Sequence, residues 1–342
     1  DKGTPTLTVA GGMQSAASLD LTVSANAPGG SGVTVTVTKD GQDAGTVQNG
    51  SYTVTSTGIY TFTATTGAGL SATQKVTVHS IVFENDSAPY ETHLVLSDGK
   101  VTEPAKPTKD GYTFAGWYRE VSCMTPWNFG SDEVTGNITL YAKWIPAAYS
   151  ITYHLDGGTA SGNPTSYTVE TDSFTLNNPT KTGYTFAGWT GTGLDEVTDA
   201  VTIGKGSTGD RTYTATWTAN TYTVAFNKNA DDATGEMMAQ TFIYGQKQAL
   251  AANAYTRTGY TFSGWSTEAD GNGVKYADQQ EVENLSDTDG AAITLYAQWA
   301  LEGLTVTITG APEEPVTYGT EITLTATTTH TADGLTYTYQ WY

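Results

Sequence analysis

The chain has 342 residues and a formal net charge of −20, with 35 acidic side chains against 15 basic ones. Such a surface repels nucleic-acid phosphates, which excludes nucleic acid as a partner, and the absence of a long apolar run excludes membrane insertion of this segment. The single cysteine, Cys123, excludes an intrachain disulfide scaffold. Because Thr, Gly, Tyr and Val dominate and long helix-forming stretches are missing, the composition predicts an all-β fold or one that is nearly so.

Residues 1–79 alternate apolar and polar side chains with the period of two that is typical of strands, as at Leu19, Leu21 and Val23. Short strands of this kind, separated by glycine-rich turns, predict an immunoglobulin-like β-sandwich. The stretch Gly58–Ala64 resembles the tyrosine-corner strand of such domains, although no Cys-Trp-Cys pattern accompanies it.

A seven-residue aromatic motif, Gly-Tyr-Thr-Phe-Ala/Ser-Gly-Trp, then occurs three times, at residues 111–117, 183–189 and 259–265. Each copy is followed by a closing strand that ends in tryptophan, at Trp144, Trp217 and Trp299. Repetition at nearly constant spacing predicts tandem copies of one small domain. We place these repeats at residues 80–147, 148–219 and 220–300.

The alternation of side chains breaks inside the aromatic motif. Tyr112 and Phe114 share one face of a strand, whereas Trp117 is out of step with them. The intervening Gly116 predicts a β-bulge that turns Trp117 towards the core. We interpret the closing Trp144 as a second core residue, and the Lys or Arg that precedes each motif as a solvated turn charge rather than a cation over an aromatic face.

Residues 301–342 return to the alternating pattern and predict the start of a second, truncated immunoglobulin-like domain. Gln340-Trp341-Tyr342 resembles the third strand of that fold, whose tryptophan fills the space between the sheets. A half-sandwich would expose an apolar face, so we expect the natural protein to continue or this piece to pack on a neighbour.

Residues that could act in catalysis or bind a metal ion are scattered along the chain. Cys123 lacks a basic partner, and the histidines lack metal-ligand spacing; they are His79, His93, His154 and His330. Asp287–Gly290 is a fragment of a calcium loop that we interpret as an acidic turn, and a Lys–Asn isopeptide bond at Lys39 or Lys75 is a minor hypothesis. We therefore predict no catalytic, cofactor-binding or metal site, no cofactor, and no enzyme activity.

The segment Lys106–Trp144 closely resembles the Listeria–Bacteroides repeat, also called the internalin B-repeat, and Tyr149–Gly158 is similar to its opening strand and hairpin. The resemblance implies a β-grasp-like fold of about four strands with one short helix, so the expected fold class runs from all-β to α+β. It also implies a place in long, multidomain surface proteins of bacteria.

From these observations we expect an extracellular stalk or adhesin region of a cell-wall protein of a Gram-positive bacterium. Its partner would be a host or bacterial surface protein or a glycan. The alternative is a set of carbohydrate-recognition modules next to a surface enzyme, in which Trp127, Tyr141 or Tyr296 stack on sugars. No ligand-binding residue is assigned, and we expect binding specificity where the three copies differ.

Overall fold

The structure is a computed structural model that describes residues 3–303, 306–310, 313–317 and 319–328. These residues form strands, turns and no helix, so the fold is all-β. The short helix implied by the family resemblance is therefore wrong for the described residues. In the first repeat the connection that follows the aromatic motif contains Pro126, Gly130 and Gly136, which favour turns over helix.

Two compact units can be distinguished, and each is described by itself. The first comprises Asp1–Tyr149, Ser166–Asp172 and Gly204–Gly209, and the second comprises Ser150–Thr165, Ser173–Ile203 and Asp210–Tyr342.

The first unit begins with two antiparallel sheets that pack on a common core. Their strands are β1 (Thr6–Ser15), β2 (Ser18–Asn26), β3 (Val33–Lys39), β4 (Gln42–Thr46), β5 (Ser51–Val54), β6 (Gly58–Thr66) and β7 (Ser71–Asn85). One sheet has the order β1-β2-β5, and the other contains β4-β3-β6-β7. Leu19, Leu21 and Phe62 lie in the core, and the Tyr60 hydroxyl donates to the Ser56 carbonyl at 3.0 Å, as in a tyrosine corner.

Strand β7 crosses the predicted boundary between residues 79 and 80. Its first half pairs with β6, and its second half pairs with β8 (Ala88–Leu96) and with the closing strand of the first repeat, β10 (Ile138–Pro146). In β8, Leu94 packs in the core of the two-sheet domain, whereas its neighbour Val95 packs in the core of the first repeat. The two domains therefore share a pair of strands.

The substitutions Leu94→Ala and Val95→Ala should therefore destabilise different cores, that of the two-sheet domain and that of the first repeat. Each change is expected to cost about 2–5 kcal/mol, or somewhat less for the smaller valine, because both side chains are buried. Hydrogen–deuterium exchange read by peptide should increase in β2 and β6 for Leu94→Ala and in β10 for Val95→Ala. Identical exchange patterns in the two variants would contradict a strand that serves two cores.

The three repeats have a common arrangement in which the closing strand is central. The opening strand pairs with it in parallel, and the strand of the aromatic motif pairs with it antiparallel on the other side. In the first repeat the motif strand is β9 (Tyr112–Tyr118). The second contains β11 (Tyr149–His154), β12 (Ser166–Tyr167), β13 (Phe174–Thr175), β14 (Tyr184–Gly191), β15 (Thr202–Ile203) and β16 (Arg211–Ala219).

The third repeat contains seven strands, one more than the second. Its strands are β17 (Thr221–Asn227), β18 (Gln240–Ile243), β19 (Gln248–Ala249), β20 (Tyr260–Ser266), β21 (Lys275–Tyr276), β22 (Glu281–Val282) and β23 (Ala291–Leu301). Beyond it, β24 (Val306–Thr309) pairs antiparallel with β25 (Thr325–Thr328). The predicted Gln340-Trp341-Tyr342 strand and His330 lie outside the described residues.

Candidate functional site

The feature that recurs in all three repeats is a β-bulge at the second glycine of the aromatic motif. The pairing register shifts there in every copy. The φ angle is +114° at Gly116, +133° at Gly188 and +132° at Gly264, a region that residues with a Cβ rarely adopt. The next residue is a tryptophan with an exposed fraction of 1%, 0% and 0% in the three copies, Trp117, Trp189 and Trp265. The predicted bulge and the inward tryptophan are confirmed.

Each buried tryptophan packs against the phenylalanine of its own motif and an aromatic ring of the opening strand. In the second repeat the Trp189 ring centroid lies 5.4 Å from Phe186 and 6.0 Å from Tyr153. Its indole N–H donates to Asn178 Oδ1 at 3.1 Å. Burial, together with the neighbouring Tyr213, raises the pKa of Tyr153 to about 12, so its hydroxyl stays neutral. The tryptophan of the aromatic motif, in contact with the motif phenylalanine, is thus part of the core and is not exposed to a ligand.

The closing tryptophans are half-buried, which corrects their interpretation as core residues. The Trp217 ring covers Phe186 at a centroid distance of 5.6 Å, and its indole N–H donates to the Leu155 carbonyl at 3.1 Å. A half-buried ring in contact with Phe186 lies at the edge of the core. The indole N–H of Trp299 likewise donates to a backbone carbonyl, that of Lys228, at 2.9 Å, whereas that of Trp144 donates to the side-chain Oδ1 of Asn85 at 2.9 Å.

A cation lies between the motif tyrosine and an acidic side chain in every repeat. Lys181 Nζ is 4.3 Å from the centroid of Tyr184, 5.7 Å from that of Trp217 and 3.7 Å from Asp156 Oδ2. The corresponding groups are Lys109 over Tyr112 with Asp86, and Arg257 over Tyr260 with Asp232. The interpretation of these cations as solvated turn charges is wrong. Each contact of this kind contributes about 0.5–1 kcal/mol at a partly exposed site.

The parallel pairing of the second repeat begins with a carboxylate. Asp210 Oδ1 accepts the backbone N–H of Ser150 at 2.7 Å and its hydroxyl at 2.9 Å. The backbone hydrogen bond, followed by the hydroxyl, lowers the pKa of Asp210. In the first repeat the neutral Asn137 Oδ1 accepts the N–H of Ser80 at 2.9 Å instead.

Asp210→Asn should therefore remove an acid-dependent part of the stability while keeping an acceptor of the Asn137 type. A carboxyl whose folded pKa is lowered stabilises the fold above its unfolded pKa of about 3.9 and loses that contribution as the pH falls through the folded pKa. The parent should unfold at a higher temperature than the variant at about pH 7, and the difference should vanish below about pH 3. Thermal unfolding across this range measures it, and a pH-independent difference would contradict this origin.

Of the aromatic residues considered for sugar stacking, Trp127 is excluded by its surroundings. It has an exposed fraction of 6%, and the Arg119 guanidinium lies 4.4 Å from its ring centroid. Tyr141 and Tyr296 occupy equivalent positions on the closing strands and are half-buried. Each lines an open cleft beside its own opening hairpin.

The cleft of the third repeat is the larger of the two, at about 850 Å³, against about 150 Å³ in the first. It is lined by Tyr296, Asp231, Glu236 and the hairpin residues Lys228 and Asn229, among others. Lys228 Nζ already donates to the Ala233 carbonyl at 2.7 Å, and Asn229 Nδ2 donates to two backbone carbonyls. Much of the polar lining therefore holds the loop together.

Three of the remaining candidates, Cys123, Asp289 and Lys39, have surroundings that indicate a structural role. Burial raises the pKa of the half-buried Cys123 thiol despite the opposing effect of Lys143, so the thiol is not activated as a nucleophile. The Asp289 carboxylate accepts the Thr221 N–H at 2.8 Å, and Lys39 Nζ donates to Ser56 Oγ at 2.9 Å. Within the described part of the chain, no group of three or more His, Cys, Asp or Glu residues is placed to hold a metal ion.

Comparison with known proteins identifies the repeated frame. The family model of the Listeria-Bacteroides repeat domain matches residues 79–143, 149–215 and 222–298, which are more than half of the chain. The chain therefore belongs to the Listeria-Bacteroides repeat family. Its matches coincide with the three copies of the bulged aromatic motif and the central closing strand.

Two relatives illustrate where such repeats occur. The chain is similar to a protein of Evansella cellulosilytica named "Putative membrane protein", with 31% identity over 249 residues, 70% of this chain and 35% of that protein. It is also similar to Internalin H of Listeria monocytogenes, with 32% identity over 178 residues, 45% of this chain and 31% of that protein. The matched region thus spans about a third of each relative. None of the described residues form a helix long and apolar enough to cross a membrane.

Proposed function

We propose that the chain is part of the extracellular stalk or adhesin region of a cell-wall surface protein of a Gram-positive bacterium, and that it has no catalytic activity. The observation that carries this proposal is that the residues recurring in all three repeats are used for folding. Trp117, Trp189 and Trp265 are buried. The cation that precedes each motif contacts a tyrosine and a carboxylate. A frame repeated in this way adds length and leaves the loops to vary.

We propose that the chain is a series of five domains or parts of domains. An immunoglobulin-like sandwich at residues 1–79 precedes three β-grasp-like repeats at 80–147, 148–219 and 220–300, which lack the helix of that fold over their fully described length, and strand β7 continues from the sandwich into the first repeat. A second immunoglobulin-like domain begins at 301–342. The family membership and the names of the two relatives support a position on the bacterial surface. The partner would be a host or bacterial surface protein or a glycan.

Replacing the repeats distinguishes a role as a spacer from a role in direct binding to the partner. In the full-length protein on its own cell, residues 80–300 would be replaced by three unrelated β-domains of similar size, or deleted. If the repeats act as a spacer, the replacement retains attachment to the partner surface and the deletion reduces it. If the repeats bind the partner themselves, both changes abolish attachment. A deletion without any effect would contradict both roles.

A carbohydrate-recognition function is the second candidate, and the cleft beside Tyr296 favours it. Tyrosine rings bind sugar faces through apolar contact, and acidic residues such as Asp231 and Glu236 accept hydrogen bonds from sugar hydroxyls. A glycan array probed with the whole chain tests it. Binding that is lost in Tyr296→Ala but retained in Thr214→Ala, the equivalent position of the second repeat, would support this function. Absence of binding to every glycan would count against it.

A further inference from the structure

Asn220, the first residue of the third repeat, connects the closing strand of the second repeat, which ends at Ala219, to the opening strand of the third, which begins at Thr221. It is a buried polar residue with an exposed fraction of 8%. Its backbone N–H donates to the Gly183 carbonyl at 2.9 Å, and its Oδ1 accepts the Thr185 hydroxyl at 2.7 Å. Its Nδ2 donates to the Asp287 carbonyl at 2.6 Å, and its own carbonyl accepts the Tyr244 N–H at 2.9 Å. Two of these four hydrogen bonds reach the second repeat and two reach the third.

The start of the aromatic motif contacts the third repeat beside this residue. Gly183 is buried, and its φ angle is +74°. A Cβ placed on it would lie 2.2 Å from carbons of the Tyr244 ring. The ring of Tyr184 meets that of Tyr244 edge-on at a centroid distance of 5.7 Å. A Cβ on Gly245 would lie 3.0 Å from the Tyr184 hydroxyl oxygen. The turn at 244–245 thus packs closely on the first two motif residues.

The first unit contains a contact of the same kind. Gly111 is buried, and its φ angle is +77°. A Cβ placed on it would lie 2.1 Å from Val169 Cγ1. Its carbonyl accepts the N–H of Ala147 at 2.9 Å, and the Tyr112 hydroxyl lies 3.1 Å from Glu170 Oε1. Glycine at Gly111 and Gly183 is therefore required for two reasons. It adopts the positive φ of the turn, and its lack of a Cβ leaves room for the neighbouring side chain.

We propose that Gly-Tyr at the start of the aromatic motif is a docking surface for a turn of the following repeat, and that Asn220 makes the contact between the second and third repeats rigid. The docking surface is defined as Gly111–Tyr112 and Gly183–Tyr184, and its occupants are the turns at 169–170 and 244–245. A linker residue that is hydrogen-bonded on both sides cannot act as a hinge without leaving buried polar groups unpaired. This rigid contact does not depend on which partner the protein binds.

Distance measurement across the contact tests this proposal in the whole chain. Cys123→Ser removes the native thiol, and Ser161→Cys and Lys275→Cys, both at exposed positions, carry nitroxide labels on the second and third repeats. Pulsed electron double resonance should give one narrow distance distribution for this parent. Asn220→Ala and Tyr244→Ala should each broaden it at least twofold. Gly290→Ala is the matched control, because Gly290 has a similar φ of +70° but no atom within 4 Å of an added Cβ.

Near-UV circular dichroism of the buried tryptophans verifies that each variant remains folded. Gly183→Ala adds a second criterion: its reduction of the unfolding temperature should be smaller in the Tyr244→Ala background, because the ring that obstructs the Cβ is gone. A broad distribution in the parent would overturn the proposal. So would narrow distributions in Asn220→Ala and Tyr244→Ala, or equal broadening in Gly290→Ala.

Discussion

Trp189→Ala is expected to unfold the second repeat. The substitution removes a side chain with 0% exposure that packs against Phe186 and Tyr153. Loss of a buried tryptophan costs about 3–5 kcal/mol, which is a large part of the stability that a domain of this size can have. Hydrogen exchange of peptides from β14 and β16 should approach that of an unfolded chain.

Trp217→Ala is the matched control, because it removes the same side chain from a half-buried position in the same repeat. Its cost should be clearly smaller, and exchange in β14 should remain slow. Equal destabilisation by the two substitutions would contradict the distinction between the central and the edge tryptophan.

Alanine at the bulge glycines should produce the second large effect, and its size should differ between repeats. All three positions have a positive φ that costs about 1–3 kcal/mol for a residue with a Cβ. At Gly188 the Cβ would also lie 2.6 Å from Val197 Cγ1 and 3.0 Å from the Thr198 backbone, and at Gly264 it would lie 2.8 Å from the Tyr276 carbonyl oxygen. At Gly116 its nearest neighbour would be Tyr118 at 3.9 Å.

Gly188→Ala and Gly264→Ala should therefore lower the stability of their repeats more than Gly116→Ala does. Denaturant unfolding followed by peptide-resolved hydrogen exchange measures the three repeats separately. If Gly116→Ala were as costly as the other two, backbone strain alone would explain the glycines and the proposed obstruction by neighbours would be wrong.

Local patterns predicted the frame of the repeat because its information is local. Side-chain parity within a single strand indicated that Gly116 breaks the alternation and turns Trp117 inward. The repetition of the same seven residues indicated three copies of one domain. Neither inference required knowledge of which strands meet.

Features that depend on distant contacts could not be predicted in the same way. The continuity of β7 across residues 79 and 80 depends on its pairing with strands on either side of that boundary. The position of Lys181 over Tyr184 and Trp217 depends on the fold of the opening hairpin, which brings Asp156 to the same place. The sequence around Asn220 contains no pattern that predicts its role, because its four hydrogen-bond partners are distant in the chain and come from two repeats.

The location of the repeats on the cell tests the central claim most directly. Antibodies raised against residues 80–300 would be applied to intact and to lysed cells of the bacterium that produces the chain, with and without prior treatment of intact cells with protease. We expect strong labelling of intact cells that protease treatment removes. Labelling that appears only after lysis, and that survives protease treatment of intact cells, would contradict an extracellular stalk or adhesin region.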